Sequence, residues 1–271
     1  MSCVRCGRPA CPDCMRSASV GQQCVECVGQ GAQHTRQART VFGGRPAAGA
    51  VVTWTLIAIN VAVYLVTWVR PGWVNNLELF GYASYAGGGP AHGVAAGEWY
   101  RLITSAFLAG PSGLGFVDIL FNMWALIFVG PALEGLLGRA RFLSVYLLSA
   151  VGGGVMYYYL APQNAPAVGA SGAIFGLFGA WFVVSRRLRL DARGIVTLIA
   201  INLALSLFLH NIIAWQDHIG GLLTGAVLTA AYAYAPRKNR AVIQVLATVA
   251  VVGLIALAVV IRNGQLTRAG L

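Results

Sequence analysis

From residue 51 onward the chain is a succession of long apolar runs broken by short polar or basic stretches. Seven runs reach spanning length, at 51–69, 116–134, 142–161, 168–185, 194–210, 216–235 and 241–261. About 20 apolar residues in a helix cross a bilayer core, where a helix satisfies its own backbone. The pattern therefore predicts an all-α polytopic membrane protein, a bundle of about seven transmembrane helices. The first fifty residues contain no such run. They are rich in cysteine up to residue 27, and in Gly, Gln, Ala and Arg after it, a composition that suits a flexible linker. The expected division is a small Cys-rich segment over 1–30, a linker over 31–50, a membrane domain over 51–262 and a short tail over 263–271. Residues 70–115 are too long and too apolar for a plain loop. With Trp73, Trp99 and Tyr100 beside Arg101, they read as an interfacial element on the outer leaflet.

Composition agrees with a membrane protein. Of 271 residues, 58% are hydrophobic and 10% charged, where a soluble domain carries about 25% charged residues. The net charge of +11 does not mark a nucleic-acid binder. The basic residues, all Arg except Lys238, lie in short clusters between apolar runs rather than along one groove. Clusters at Arg36/Arg39/Arg45, Arg139/Arg141, Arg186/Arg187/Arg189/Arg193 and Arg237/Lys238/Arg240 fall on one side. Arg70, Arg101, Arg262 and Arg268 fall on the other. The positive-inside rule then places the N-terminus in the cytosol and the C-terminus outside a cell membrane.

All six cysteines form C-x-x-C pairs: Cys3/Cys6, Cys11/Cys14 and Cys24/Cys27. That spacing turns two thiolates toward one tetrahedral ion, and two pairs close a structural zinc site. A disulfide framework would need an oxidising compartment. The polar N-terminus lacks the apolar core of a signal peptide, which favours reduced thiols and zinc. Four of the six cysteines serve each zinc. The remaining pair could recruit His34 or a partner, and the segment would be a cytosolic docking or regulatory module.

Polar side chains inside apolar helices mark function by default. Asn122, Ser171 and His218 lie early in the second, fourth and sixth runs. On the topology above, all three sit at a similar shallow depth below the outer face. Ser plus His is a nucleophile and its base. Gly172/Gly176 and Gly221/Gly225 form G-x-x-x-G faces that let two helices approach closely. Backbone N–H groups at the start of the fourth helix, with Asn122, are candidate donors to an oxyanion. His92 and His210 have no nucleophile nearby in sequence. A transporter with a midplane site fits worst, because no paired intramembrane carboxylates and no inverted-repeat halves are apparent.

At these residues the chain resembles the rhomboid family of intramembrane serine proteases. The resemblance covers residues 51–261. It rests on Gly169-Ala170-Ser171-Gly172, on His218-x-Gly220-Gly221-x-x-x-Gly225 and on Phe121-Asn122-Met123. It rests also on Gly130-Pro-Ala-Leu-Glu134-x-x-x-Gly138-Arg139 and Trp99-Tyr100-Arg101. The cysteine segment looks like the zinc-finger extension of some bacterial rhomboids, which usually opens with one further ligand pair. The resemblance implies that Ser171 attacks the scissile carbonyl, that His218 acts as base and then acid without an acidic third member, and that catalysis needs no cofactor. It implies that Asn122 and the Ser171 amide hold the oxyanion. Substrates would be transmembrane segments of membrane proteins, entering from the lipid bilayer and cut near the outer face.

Three positions depart from the family pattern. Asp118 stands where a histidine usually donates to the oxyanion; ionised it would repel the oxyanion, protonated it could donate. Ala109 replaces a first-loop histidine. Phe175 stands where a tyrosine often stacks on the catalytic histidine. Asp118 and Ala109 keep a second reading open, a catalytically silent rhomboid-like protein that binds transmembrane helices.

Overall fold

A computed structural model describes residues 1–34, 39–46, 49–83, 91–110 and 113–268. Arg36, the His34 side chain, residues 84–90 of the interfacial stretch and residues 269–271 of the tail lie outside the described residues. The chain divides into two compact units, Met1–Ala38 and Arg39–Leu271.

The first unit is a short hairpin followed by a helix. Strand β1 (Met15–Ser17) pairs antiparallel with β2 (Gln22–Cys24), and Met15 lies opposite Cys24. Gly21, at φ 68°, closes the turn with its carbonyl accepting from Ala18 N–H. Helix α1 (Val25–His34) follows directly, so residues 31–34, read as linker, are helical here. The unit's buried core is Cys3, Met15, Cys24 and Cys27, with Ala10 packed against it. A core of this size does not stabilise so short a unit by apolar burial, and such units usually need a metal or disulfide staple.

The second unit is a helical bundle. Seven helices stand where seven apolar runs were read: α2 (Val51–Val69), α5 (Gly113–Leu137), α6 (Arg139–Leu160), α7 (Ser171–Leu188), α8 (Arg193–Phe208), α9 (Trp215–Tyr234) and α10 (Arg240–Arg268). Two short helices, α3 (Gly72–Leu77) and α4 (Arg101–Thr104), lie in the stretch between α2 and α5. Four helices, α2, α5, α6 and α10, are long and apolar enough to cross a membrane, and α8 is apolar but shorter. The helices α7 and α9 differ in kind. Twelve of the eighteen residues of α7 are buried by protein. Helices shielded by neighbours have no need to be uniformly apolar, so α7 and α9 carry glycines and polar groups instead.

These two helices run side by side in the same direction. A side chain added at Gly221 would collide with the Gly172 carbonyl, and one at Gly225 with that of Gly176. The two G-x-x-x-G faces read from sequence thus meet each other, backbone against backbone. Helix α6 packs on both.

Several helix edges differ from the sequence reading, two of them with consequences for the site and the tail. Helix α7 starts at Ser171, three residues later than the apolar run. The preceding residues are held elsewhere: Leu79 and Ala167 exchange backbone hydrogen bonds, and Gly169 N–H donates to Ser105 O. Gly169 has φ 135°, a conformation open to glycine, and this breaks the helix before Ser171. Helix α10 continues to Arg268, through most of the stretch read as a tail. Leu266 is buried, and Asn263 Oδ1 accepts from Tyr158 Oη at 2.7 Å.

Residues 39–46 make specific contacts with the bundle. Phe42 is buried in its core, and its carbonyl accepts from Gln244 Nε2 at 3.0 Å. Helix α2 begins without a side-chain cap of its own. Glu134 of α5, fully buried, supplies one. Its carboxylate accepts from Val52 N–H at 3.0 Å, Thr53 N–H at 2.8 Å and Thr53 Oγ1 at 2.8 Å. A carboxylate at a helix N-terminus satisfies orphan amides and suits the dipole.

The stretch before α5 is ordered around Arg101. Its Nε donates to Glu98 Oε2 at 2.6 Å, and Nη1 donates to the carbonyls of Asn75 and Glu78. The guanidinium lies 4.5 Å over the Phe80 ring. Glu98 also accepts from Gly93 N–H and pairs with His92 Nδ1 at 3.0 Å. Burial pushes the Glu98 carboxyl up, but His92, Arg101 and the Gly93 amide outweigh it and hold it at about 2. Trp99 and Tyr100 are exposed, as amphipathic side chains at a membrane surface are.

Candidate active site

Ser171 is the first residue of α7, so its backbone N–H and the next two have no partner within the helix. Phe175 lies one turn further on, on the same face. His218 is the fourth residue of α9 and is 6% exposed. Phe175 stacks on it, with ring centroids 4.1 Å apart. The glycine seam between α7 and α9 therefore brings the face bearing Ser171 to the face bearing His218.

Among the described residues Ser171 Oγ makes no hydrogen bond. The His218 ring is bonded instead through Nδ1 to Ser206 Oγ of α8, at 2.8 Å. Nucleophile–base contacts are often long before substrate arrives. The arrangement leaves Nε2 as the ring nitrogen available to the serine.

Asn122, the tenth residue of α5, is deeper in its helix than its apolar run suggested, because α5 begins at Gly113. It is buried, and its Nδ2 donates to Asp118 Oδ1 at 2.9 Å. Asp118 is close to the serine. A side chain added at Gly169 would lie 3.3 Å from Asp118 Oδ2 and 3.6 Å from Ser171 Oγ. Asp118 thus acts here as an acceptor, gripping the amide expected to donate to the oxyanion.

A second carboxylate was missed in the sequence reading, which counted no paired carboxylates. Asp217 precedes His218 and faces the opposite way, into a space left by two glycines. Side chains added at Gly153 of α6 or Gly172 of α7 would collide with its carboxylate. The Gly172 backbone faces it, and Asp118 lies within its electrostatic reach. Two carboxylates therefore bracket the start of α7. The acidic residue beside His218 was a visible signal. Ser206 gave none, since a lone hydroxyl in an apolar helix usually bonds its own backbone. Ala109 is buried, and its carbonyl accepts from Thr67 Oγ1 at 3.3 Å. His210 lies just past the end of α8.

In the first unit, the thiols of Cys3, Cys6, Cys24 and Cys27 all lie within 4.8 Å of one another. Tetrahedral zinc with bonds of about 2.3 Å sets its sulfurs about 3.8 Å apart, and Cys6 and Cys24 Sγ are 3.9 Å apart. Cys24 N–H donates to Cys3 Sγ at 3.2 Å, a backbone donation that suits a ligating thiolate. These residues fit a structural metal ion, which would staple hairpin to helix. Cys11 and Cys14 are exposed, 2.8 Å apart and outside this cluster.

The Rhomboid domain family matches residues 96–235, which include Ser171, His218, Asn122, Asp118 and Ser206. The chain is 42% identical over 142 residues to YdcA of Bacillus subtilis, assigned by name to the rhomboid proteases. The match takes in 51% of this chain and 69% of YdcA. It is 32% identical over 204 residues to Rhomboid protease GluP of the same organism, covering 73% of this chain but 37% of GluP. Rhomboid protease AarA of Providencia stuartii is 27% identical over 226 residues, 71% of this chain and 76% of AarA. With helices apolar enough to span a membrane, and with more than half of its length matched by that domain, the chain belongs to the rhomboid family.

Proposed function

We propose that the chain is a serine endopeptidase of the cell membrane that cleaves transmembrane segments of other membrane proteins near the outer face. The observation that carries this reading is the glycine seam of α7 and α9. It brings together the helix that starts at Ser171 and the helix that carries His218, whose ring stacks on Phe175 one turn beyond Ser171. Kinship with proteins named as rhomboid proteases supports it.

In this mechanism Ser171 Oγ attacks the scissile carbonyl carbon while its proton passes to His218 Nε2. The carbonyl oxygen becomes an oxyanion, held by N–H groups at the start of α7 and by the second amide hydrogen of Asn122. The C–N bond then breaks, and the imidazolium returns the proton to the leaving amine. Water, deprotonated by His218, attacks the acyl ester and releases Ser171 and a carboxylate product. No cofactor enters these steps. The N-terminal unit lies in the cytosol, holding structural zinc on Cys3, Cys6, Cys24 and Cys27 as a docking module for a cytosolic partner. The C-terminus lies outside.

The test is cleavage of a model transmembrane substrate in proteoliposomes, with fluorophosphonate labelling of the enzyme. Both should be lost in Ser171→Ala. Cleavage that survives this substitution would overturn the assignment. One observation favours a second reading, a silent helix-binding protein: the Asp118 carboxylate beside Ser171 Oγ. Wild type that fails to label while Asp118→His labels would favour that reading.

A further inference from the structure

Ser206 is 2% exposed in a helix, α8, whose only other buried residue is Ile195. Its Oγ makes two short contacts, donating to Asn202 O at 2.6 Å and lying 2.8 Å from His218 Nδ1. A hydroxyl has one proton. With that proton on the Asn202 carbonyl, Oγ offers only lone pairs to the imidazole, so Nδ1 must be the donor. A neutral imidazole protonated at Nδ1 is unprotonated at Nε2.

We propose that Ser206 is a positioning residue for the proteolytic reaction, accepting from His218 Nδ1–H and so holding the imidazole in the tautomer whose Nε2 takes the Ser171 proton. This rests on the protease reading above. Stacking on Phe175 fixes the plane of the ring, but a ring can turn within its plane or flip over without losing that contact. Ser206 removes this freedom. Back-bonding to Asn202, the ordinary habit of a serine in a membrane helix, accounts for the first contact and not the second. The hydroxyl dipole also helps the imidazolium, since its lone pairs face the proton that Nδ1 keeps throughout. The Asp217 carboxylate, turned toward Gly153 and Gly172, takes no part in orienting the ring.

The experiment uses the full chain in proteoliposomes, with its four histidines labelled with nitrogen-15 and His218 assigned by its loss in His218→Gln. Wild type should show the pattern of Nδ1–H with bare Nε2. Ser206→Ala should populate the other tautomer and lower kcat about tenfold with KM unchanged, as expected for one orienting hydrogen bond. Ser206→Thr, which keeps a hydroxyl, should restore both. A wild-type ring protonated at Nε2 would overturn the inference without recourse to any variant. So would a Ser206→Ala protein with unchanged tautomer and unchanged kcat. Wild type with the Nδ1–H ring but no hydrolysis would overturn the protease reading, and the catalytic role with it, leaving the hydrogen bond itself established.

Discussion

Phe175 and His218 lie face to face, their planes only 11° apart. The two residues belong to different helices, so the stack also records how closely the glycine seam lets α7 and α9 approach. An aromatic pair of this kind is worth about 0.5–1.5 kcal/mol. Phe175→Ala should therefore lower kcat about three- to tenfold, while Phe175→Tyr should keep wild-type turnover. A Phe175→Ala enzyme with full kcat would show that the stack does not hold the base.

Asp118 places a carboxylate beside the nucleophile and takes a hydrogen of the Asn122 amide. A negative charge about 4–8 Å from a developing oxyanion costs about 2–4 kcal/mol at an effective dielectric near 20. Asp118→Asn removes the charge and keeps an acceptor for Asn122. Hydrolysis at neutral pH should then rise about thirtyfold or more. A fall would mean that Asp118 is protonated and donates to the oxyanion.

The Glu98 cluster should make the region before α5 sensitive to acid. The folded carboxyl titrates at about 2, below its ordinary 4.5, so the ionised form is favoured by folding. Its contribution is complete above pH 4.5 and is lost as the pH falls toward 2. Thermal unfolding of wild type should fall in temperature across that window. Glu98→Gln should be less stable at neutral pH and show a shallower fall. Equal slopes would locate the acid sensitivity elsewhere.

The cysteine geometry predicts one metal ion per chain, held by four of the six thiols. Native mass spectrometry of the full chain under reducing conditions should show one zinc. It should persist in the double variant Cys11→Ser/Cys14→Ser and vanish in Cys3→Ser. Retention in Cys3→Ser would refute the four-thiol cluster.

The parts of this molecule that were legible in its sequence are those governed by local pattern. Apolar runs mark seven helices, because lipid and a packed interior both demand apolar surface. Glycines spaced by four mark the α7–α9 seam, because four residues return to the same face of a helix. What depends on how helices are turned about their axes was not legible. Ser206 and His218 are twelve residues apart across a helix–helix connection, and no spacing rule brings their side chains together. Asp217 adjoins His218 in sequence yet points the other way. The three cysteine pairs have identical spacing, so nothing local tells which two converge; the hairpin register, setting Met15 against Cys24, separates them. The late start of α7 came with a pairing of Ala167 to the distant Leu79, which no local pattern contains.

The Glu134 cap has a bearing on biosynthesis. Helix α2 leaves the ribosome before α5, yet two amides of its first turn find their acceptor only on α5. Until that later helix is inserted, the start of α2 must stay within reach of water or headgroups, since bare N–H groups in hydrocarbon cost several kcal/mol each. The later of these two helices therefore completes the N-terminal cap of the earlier one, and the start of α2 is settled only once α5 is in place.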